Sequence, residues 1–265
     1  MTRETFVFDV FSRCVEAIID GQLIVRESRR DKEFHFQDWF ARRMTEALAR
    51  SGTHFEQAGR NKYPDFSLVE HAEGYEIKGL AYPGRDATYD ANSQMPSGLH
   101  NGRTVFCVFG RYPKEVESES EYPVVDLVLC HGDFLNAEHE YRHENKSVRG
   151  FGSYGDVLIR DRKMYVVPTP FAVASGLNAR RTLILPQDFE ALAPPNFTRV
   201  GSLVRKEADE LVVAYEFDLT TNEIKALRVE NPNAGREHYF VAYRLESDSA
   251  SPVEMVRRGS PPEPA

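Results

Sequence analysis

Two acidic residues and a lysine occur close together in one short stretch of the sequence. Asp65 follows a proline, and further along Glu76 and Lys78 flank an isoleucine. Alternating apolar residues predict two short strands here, residues 65–69 and 75–81, joined by a tight turn. Because side chains alternate between the faces of a strand, Glu76 and Lys78 share one face, and the hairpin returns them beside Asp65. The sequence therefore predicts that two carboxylates and one ammonium converge.

Two carboxylates beside an ammonium suit the hydrolysis of a phosphodiester. Carboxylate oxygens, waters and a substrate phosphate are the ligands that Mg²⁺ prefers, and the backbone carbonyl of Ile77 is a further candidate ligand. Lys78 can orient or deprotonate a water and stabilise charge on the pentacovalent phosphate. The alternative is an exposed hairpin with an ordinary Glu–Lys pair. Against that alternative, apolar residues flank the acids and favour a pair of core strands: Phe66, Leu68, Ile77 and Leu80.

The elements that must position these residues follow from the periodicity of the apolar residues. Two amphipathic helices are predicted before the hairpin, at residues 4–20 and 32–51, with Gly21 and Gly52 directly after their last turns. Gly74 is predicted as the glycine of the hairpin turn. After the hairpin we expect a polar loop at residues 82–101 and then strands at residues 104–109, 124–130, 156–160, 163–169, 182–185, 200–205, 211–219, 224–229 and 238–245. The pattern thus predicts an α/β core followed by a β-rich region.

Composition restricts the class of protein. The 265 residues are 41% hydrophobic and 28% charged, which is enough apolar material for a buried core and excludes a wholly disordered chain. The longest apolar runs, residues 104–110 and 124–130, are too short to span a bilayer, so we expect no membrane partner. No signal peptide is apparent, and Cys14, Cys107 and Cys130 occupy apolar stretches, which favours reduced thiols and a cytoplasmic protein. The sequence has no P-loop or GxGxxG element, so we expect no nucleotide cofactor.

The proline before Asp65 and the triplet Glu76-Ile77-Lys78 match the PD-(D/E)XK signature. With a helix before the motif and a buried strand after it, residues 30–130 resemble the restriction-endonuclease-like superfamily of nucleases. The resemblance implies a core with a mixed central sheet flanked by helices. It also implies that Asp65 and Glu76 bind Mg²⁺ and that Lys78 serves the attacking water.

An acid on the second predicted helix is a further candidate metal ligand. Glu33 lies on the same stripe of that helix as the apolar Phe40, because seven residues make almost two full turns. Many members of the superfamily place an acid from the preceding helix near the metal, and Glu33 could take that place. The alternative is a first-turn acid that complements the helix dipole.

Polar residues are crowded into the segment that follows the motif, residues 88–103. Asn and Gln can read adenine, and Arg can read guanine, through paired hydrogen bonds in the major groove. The alternative is a plain polar surface loop. The candidates for contact with DNA in this segment are Asn92, Ser93, Gln94, His100, Asn101 and Arg103.

The charge is unevenly distributed along the chain. The net charge of −8 argues against a nucleic-acid partner, but residues 115–140 hold eight acids and no Lys or Arg. Residues 141–181, in contrast, hold eight basic and three acidic residues, with aromatic residues and glycines between them. This composition suits contact with phosphates, whereas a glycine-rich turn between strands is the alternative. The candidates here are Lys146, Arg149 and Tyr154.

Together these features predict an α/β protein with a restriction-endonuclease-like core and a β-rich C-terminal region. We expect residues 1–140 to form helices and catalytic core, residues 141–246 a DNA-recognition region, and residues 247–265 a flexible tail. The expected function is that of a type II restriction endonuclease, which cleaves double-stranded DNA with Mg²⁺ in a bacterial or archaeal cytoplasm. A two-fold symmetric target would require a homodimer. The alternatives are a structure-specific or repair nuclease of the same fold, and a non-catalytic DNA-binding protein with a degenerate nuclease fold.

Overall fold

The computed structural model of the protein describes most of the chain. The described residues are 5–28, 30–59, 62–84, 87–92, 95–116, 118, 120–137, 153–154, 158–160, 164–218, 220, 223–248 and 251–256. Every structural statement below concerns these residues.

Two long helices precede the sheet. Helix α1 spans Val7–Ile19 and helix α2 spans Lys32–Leu48, so both are shorter than the sequence predicts. Gly21 and Gly52 follow them with φ angles of 72° and 70°, a left-handed conformation that glycine adopts without strain. These glycines therefore lie after the helix ends, as predicted. A single-turn helix, α3 (Pro170–Val173), and three short 3-10 helices complete the helical part: Gly132–Phe134, Gln187–Leu192 and Glu246–Asp248.

Eighteen strands make up the remaining regular structure of the described chain. They are β1 (Ile24–Val25), β2 (Phe55–Gln57), β3 (Phe66–Leu68), β4 (Glu73–Tyr82), β5 (Thr88–Asn92), β6 (Leu99–His100), β7 (Arg103–Pro113), β8 (Glu121–Tyr122), β9 (Asp126–His131), β10 (Leu158–Arg160), β11 (Met164–Pro168), β12 (Ala174–Ser175), β13 (Arg181–Pro186), β14 (Phe197–Lys206), β15 (Glu210–Asp218), β16 (Glu223–Glu230), β17 (Glu237–Leu245) and β18 (Glu254–Met255). The strands that the sequence predicts from residue 104 onward are all present, with ends displaced by a few residues.

The central sheet is mixed, and the protein belongs to the α/β class. Its order is β14-β17-β13-β9-β7-β4-β3-β2, with β6 pairing at the end of β7. β4 runs parallel to β7, and β9 runs parallel to β13, whereas the other neighbours are antiparallel. Three strands after residue 140 continue this sheet, so the predicted boundary at residue 140 passes through one continuous hydrogen-bonded structure. β15 and β16 form a separate hairpin.

Each face of the central sheet has its own apolar core. Phe106 and Val108 of β7 pack with the aromatic residues of α1 and α2 on one face. The alternate residues Cys107 and Phe109 point to the other face and pack with the buried Tyr89 of β5. On that second face β5, β11 and β10 form a three-stranded sheet.

Three local predictions are wrong. Residues 82–101 are not a plain loop, because they contain β5, which pairs with β11, and β6, which forms a tight hairpin with β7. Gly74 lies inside β4 and not in the hairpin turn. The predicted tail is partly ordered, because β18 pairs with β12 and Val253 is buried. β5 and β18 depend on partners distant in sequence, which local periodicity does not show.

Within the described residues, no helix combines the length and the apolar character that crossing a membrane requires.

Candidate active site

The predicted acids and the lysine meet where β4 loses its neighbour β3. β3 pairs with β4 only through Phe66 opposite Tyr75 and Ser67 opposite Gly74. Beyond Tyr75 this edge of β4 is therefore free of β3, and Asp65 occupies it. The glycine in β4 makes this possible, because a Cβ on Gly74 would lie 2.6 Å from the Pro64 ring.

Asp65 is fixed by two hydrogen bonds to the strand that carries Glu76. The Asp65 backbone N–H donates to Glu76 Oε2 at 3.2 Å, and the Ile77 backbone N–H donates to Asp65 Oδ2 at 2.8 Å. The N–H and C=O of one strand residue point to the same side. The Ile77 carbonyl therefore faces the same open edge as the Asp65 carboxylate.

Lys78 is held next to Glu76, as the alternation along the strand predicts. Its Nζ lies 2.9 Å from Glu76 Oε1, and the two side chains keep only 15% and 13% of their surface exposed. Between them Ile77 packs into the core on the helix side. The two carboxylates and the ammonium thus form one cluster, and the prediction that they converge is confirmed.

Burial acts on the pKa values of Asp65 and Lys78 in opposite directions, and the neighbouring charges shift both values as well. Burial and the neighbouring Glu76 raise the pKa of Asp65 from 3.8 to about 7, and Lys78 and the Ile77 N–H only partly offset this. Burial by itself would lower the pKa of Lys78. Attraction by Glu76, Asp65 and Glu33 outweighs that effect, so the pKa of Lys78 is raised and the amine stays protonated.

Helix α2 brings Glu33 towards the same edge. The Glu33 Cα lies 3.1 Å from where a Cβ on Gly79 of β4 would stand, so the first turn of α2 packs directly on the strand. Although Glu33 is exposed, desolvation and the charge of Glu76 raise the pKa of its carboxyl, while Lys78 lowers it. Glu33 is therefore within electrostatic reach of the cluster. The same residue also lies in the first turn of α2, so the role of a dipole-complementing acid stays open.

The donor set fits a magnesium ion. Mg²⁺ binds proteins through one or two carboxylates and keeps several waters, and Asp65, Glu76 and the Ile77 carbonyl supply such ligands at one edge. No group of three or more His, Cys, Asp or Glu side chains arranged for a metal occurs in the described part of the chain. A magnesium site with two carboxylates, a backbone carbonyl and waters does not require a third acidic side chain.

Two tyrosines that sequence reasoning missed lie near the cluster. Tyr63, just before the Pro-Asp pair, donates its hydroxyl to the Ser97 carbonyl at 3.3 Å. The ring centroid of Tyr89 lies 5.7 Å from Lys78 Nζ. The alternation of Tyr89 and Ala91 with polar residues was the signal that could have identified β5.

The predicted DNA contacts have different outcomes. His100 and Asn101 lie at the β6–β7 hairpin, where the ring of His100 packs edge-on against Tyr63 and burial lowers the pKa of His100. Arg103 Nη1 donates to three backbone carbonyls, those of Leu68, His71 and Glu73, so this residue has a role inside the fold. A base contact by Arg103 stays a prediction, and it would have to use the guanidinium nitrogens other than Nη1.

Tyr154, a candidate for contact with DNA, is buried. Its hydroxyl donates to the Asp133 carbonyl at 2.6 Å, and Arg205 lies 4.2 Å above its ring. A contact with DNA would require this packing to open. Ser93, Gln94, Lys146, Arg149 and the Asn92 side chain lie outside the described residues, and their contacts stay predictions.

A scan against protein-family models and a search of curated proteins find no match to this chain. The resemblance to the PD-(D/E)XK nucleases therefore rests on the motif and on the geometry described above.

Proposed function

We propose that this protein is a Mg²⁺-dependent endonuclease that hydrolyses phosphodiester bonds in double-stranded DNA at a specific sequence, in the manner of type II restriction enzymes. The observation that carries the proposal is the cluster of Asp65, Glu76 and Lys78 at the open edge of β4. Two adjacent carboxylates with an ammonium beside them match what hydrolysis of a phosphodiester requires.

The position of each residue in the cluster suggests its role in hydrolysis. Asp65, Glu76 and the Ile77 carbonyl would hold Mg²⁺, which when bound neutralises charge on the phosphate and makes a bound water more acidic. Lys78, protonated and partly enclosed, would donate hydrogen bonds to the attacking water or to the phosphate oxygens, where negative charge develops. The hydrogen bond from the Ile77 N–H fixes Asp65, so the carboxylates keep their spacing.

The surrounding topology supports a restriction-endonuclease-like core. An α-helix, α2, is followed by the antiparallel β2–β3–β4 unit that carries the motif, and β7 then pairs in parallel with β4 along its length. The connection from β4 to β7 contains the strands β5 and β6.

Digestion of a sequenced plasmid tests the proposal directly. With Mg²⁺ we expect discrete ends at one short sequence, and with Ca²⁺ we expect binding without cutting. Asp65→Ala and Lys78→Ala should abolish cutting and leave DNA binding largely intact. Glu210→Gln is the control, since Glu210 pairs with the exposed Arg228 on the separate β15–β16 hairpin. Parental cutting by either site variant would overturn the assignment.

The substrate library used in this assay also separates the alternatives. A requirement for junctions or flaps would indicate a structure-specific nuclease of the same fold, and binding without any cutting would indicate a non-catalytic protein. Cutting of both strands at a symmetric sequence should accompany a homodimer, which sedimentation measures. We place the enzyme in the cytoplasm of a bacterium or archaeon, and a DNA methyltransferase gene beside the coding sequence would support this.

A further inference from the structure

Tyr89 lies on β5, which crosses the second face of the central sheet beside the acid–lysine cluster. Its backbone pairs with Val167 of β11, and its ring packs edge-on against Phe109 of β7 with the centroids 5.3 Å apart. The tyrosine is 6% exposed. The backbone of Tyr89 is therefore held by β11, and its ring packs on the core beneath it.

The Lys78 ammonium lies between this ring and a carboxylate. Nζ is 2.9 Å from Glu76 Oε1 and 5.7 Å from the centroid of the Tyr89 ring, which is within the range of a cation–π interaction. Most of the surface of the Lys78 side chain is buried. A long and flexible side chain is thus confined at its charged end by two different groups.

The two groups confine the ammonium in different ways. The carboxylate of Glu76 accepts one of the three N–H donors of Lys78 and fixes a direction. An aromatic face attracts the charge through its quadrupole and accepts no directed hydrogen bond from a particular N–H. The ring can therefore keep the ammonium close to Glu76 while donors remain for a water or a phosphate oxygen.

We propose that Tyr89 is a positioning residue, whose ring holds the Lys78 ammonium beside Glu76 in the geometry that hydrolysis uses. This inference rests on the proposed nuclease function for its kinetic consequence, whereas the position of the ammonium can be measured independently. The role requires an aromatic face and does not require the phenol hydroxyl.

The kinetic test compares three variants. Tyr89→Phe keeps the ring and should cut DNA at close to the parental rate. Tyr89→Met keeps an apolar side chain without the ring and should lower kcat by about threefold to thirtyfold, the range that corresponds to a cation–π interaction, with KM almost unchanged. Val167→Ala is the matched control, because it weakens the packing of the same small sheet without removing the ring. It should retain kcat. A kcat unchanged in Tyr89→Met, or lowered equally in Val167→Ala, would overturn the proposal.

A spectroscopic test needs no activity. In lysine-labelled protein, the Lys78 ε-methylene signal, assigned by its loss in Lys78→Met, should carry an aromatic ring-current shift. The shift should persist in Tyr89→Phe and Val167→Ala and disappear in Tyr89→Met. An unshifted signal in the parental protein would refute the inference. If the parental protein cuts no DNA, the proposed function fails, and this measurement alone then decides whether Tyr89 holds Lys78.

Discussion

Replacing Asp65 by asparagine should stabilise the protein at alkaline pH while it abolishes cutting. The side chain keeps its size, and the amide oxygen can still accept the Ile77 N–H that now bonds Asp65 Oδ2. What the substitution removes is a negative charge that burial and Glu76 disfavour. A buried carboxylate that is ionised against its electrostatic preference lowers stability, so a neutral side chain in its place should raise the free energy of unfolding.

The magnitude and the pH window follow from the pKa of Asp65, which is raised from 3.8 to about 7 on folding. A difference of about three in pKa corresponds to about 4 kcal/mol. Below a pH of about 4 the carboxyl is protonated in both states, so it carries no penalty. As the pH rises from about 4 to about 7, the unfolded chain releases the proton and the folded chain retains it, and the free energy of unfolding falls. Well above pH 7 the carboxyl is ionised in both states, and the free energy of unfolding falls no further on its account.

Urea unfolding without divalent ions, at several pH values between 4.5 and 8.5, measures this effect. Asp65→Asn should exceed the parental free energy of unfolding by up to about 4 kcal/mol at the highest pH, and the gap should close as the pH approaches 4. Glu210→Gln, which removes an exposed ion pair with Arg228, should give a small difference that varies little over this range. An Asp65→Asn protein that is less stable than the parent at pH 8, or a gap independent of pH, would refute the electrostatic argument.

Two further substitutions test how helix α2 is used. Glu33→Gln should raise the Mg²⁺ concentration that gives half-maximal cutting, because the Glu33 carboxyl interacts with Glu76 and Lys78. If that concentration is unchanged in the variant, Glu33 has only the role of a first-turn acid. Gly110→Ala should lower the free energy of unfolding by about 1–3 kcal/mol, because its Cβ would lie 2.0 Å from the Phe36 ring of α2. Gly59→Ala, whose Cβ would meet nothing within 4 Å, serves as the control in urea unfolding, and equal losses in the two variants would contradict the packing argument.

The elements that the sequence predicts well are those with strong local periodicity. The strands containing Phe106, Leu183 and Phe240 have apolar residues in runs or in strict alternation, and they occur within a few residues of the predicted positions. β5 and β6 were missed because they are short and polar. β5 gains its hydrogen bonds from β11, more than seventy residues later in the chain, and no local pattern reports such a partner.

The sequence by itself determined which chemical groups the site contains, because strand alternation places Glu76 and Lys78 on one face and a hairpin returns them to Asp65. These are local consequences of backbone geometry. Only the tertiary structure decided where β3 stops pairing, which leaves the edge of β4 open for Asp65. It also decided that Tyr89 lies beside Lys78 and that the pKa of Asp65 rises, because burial and charge at a point depend on every segment that packs there, whatever its distance along the chain.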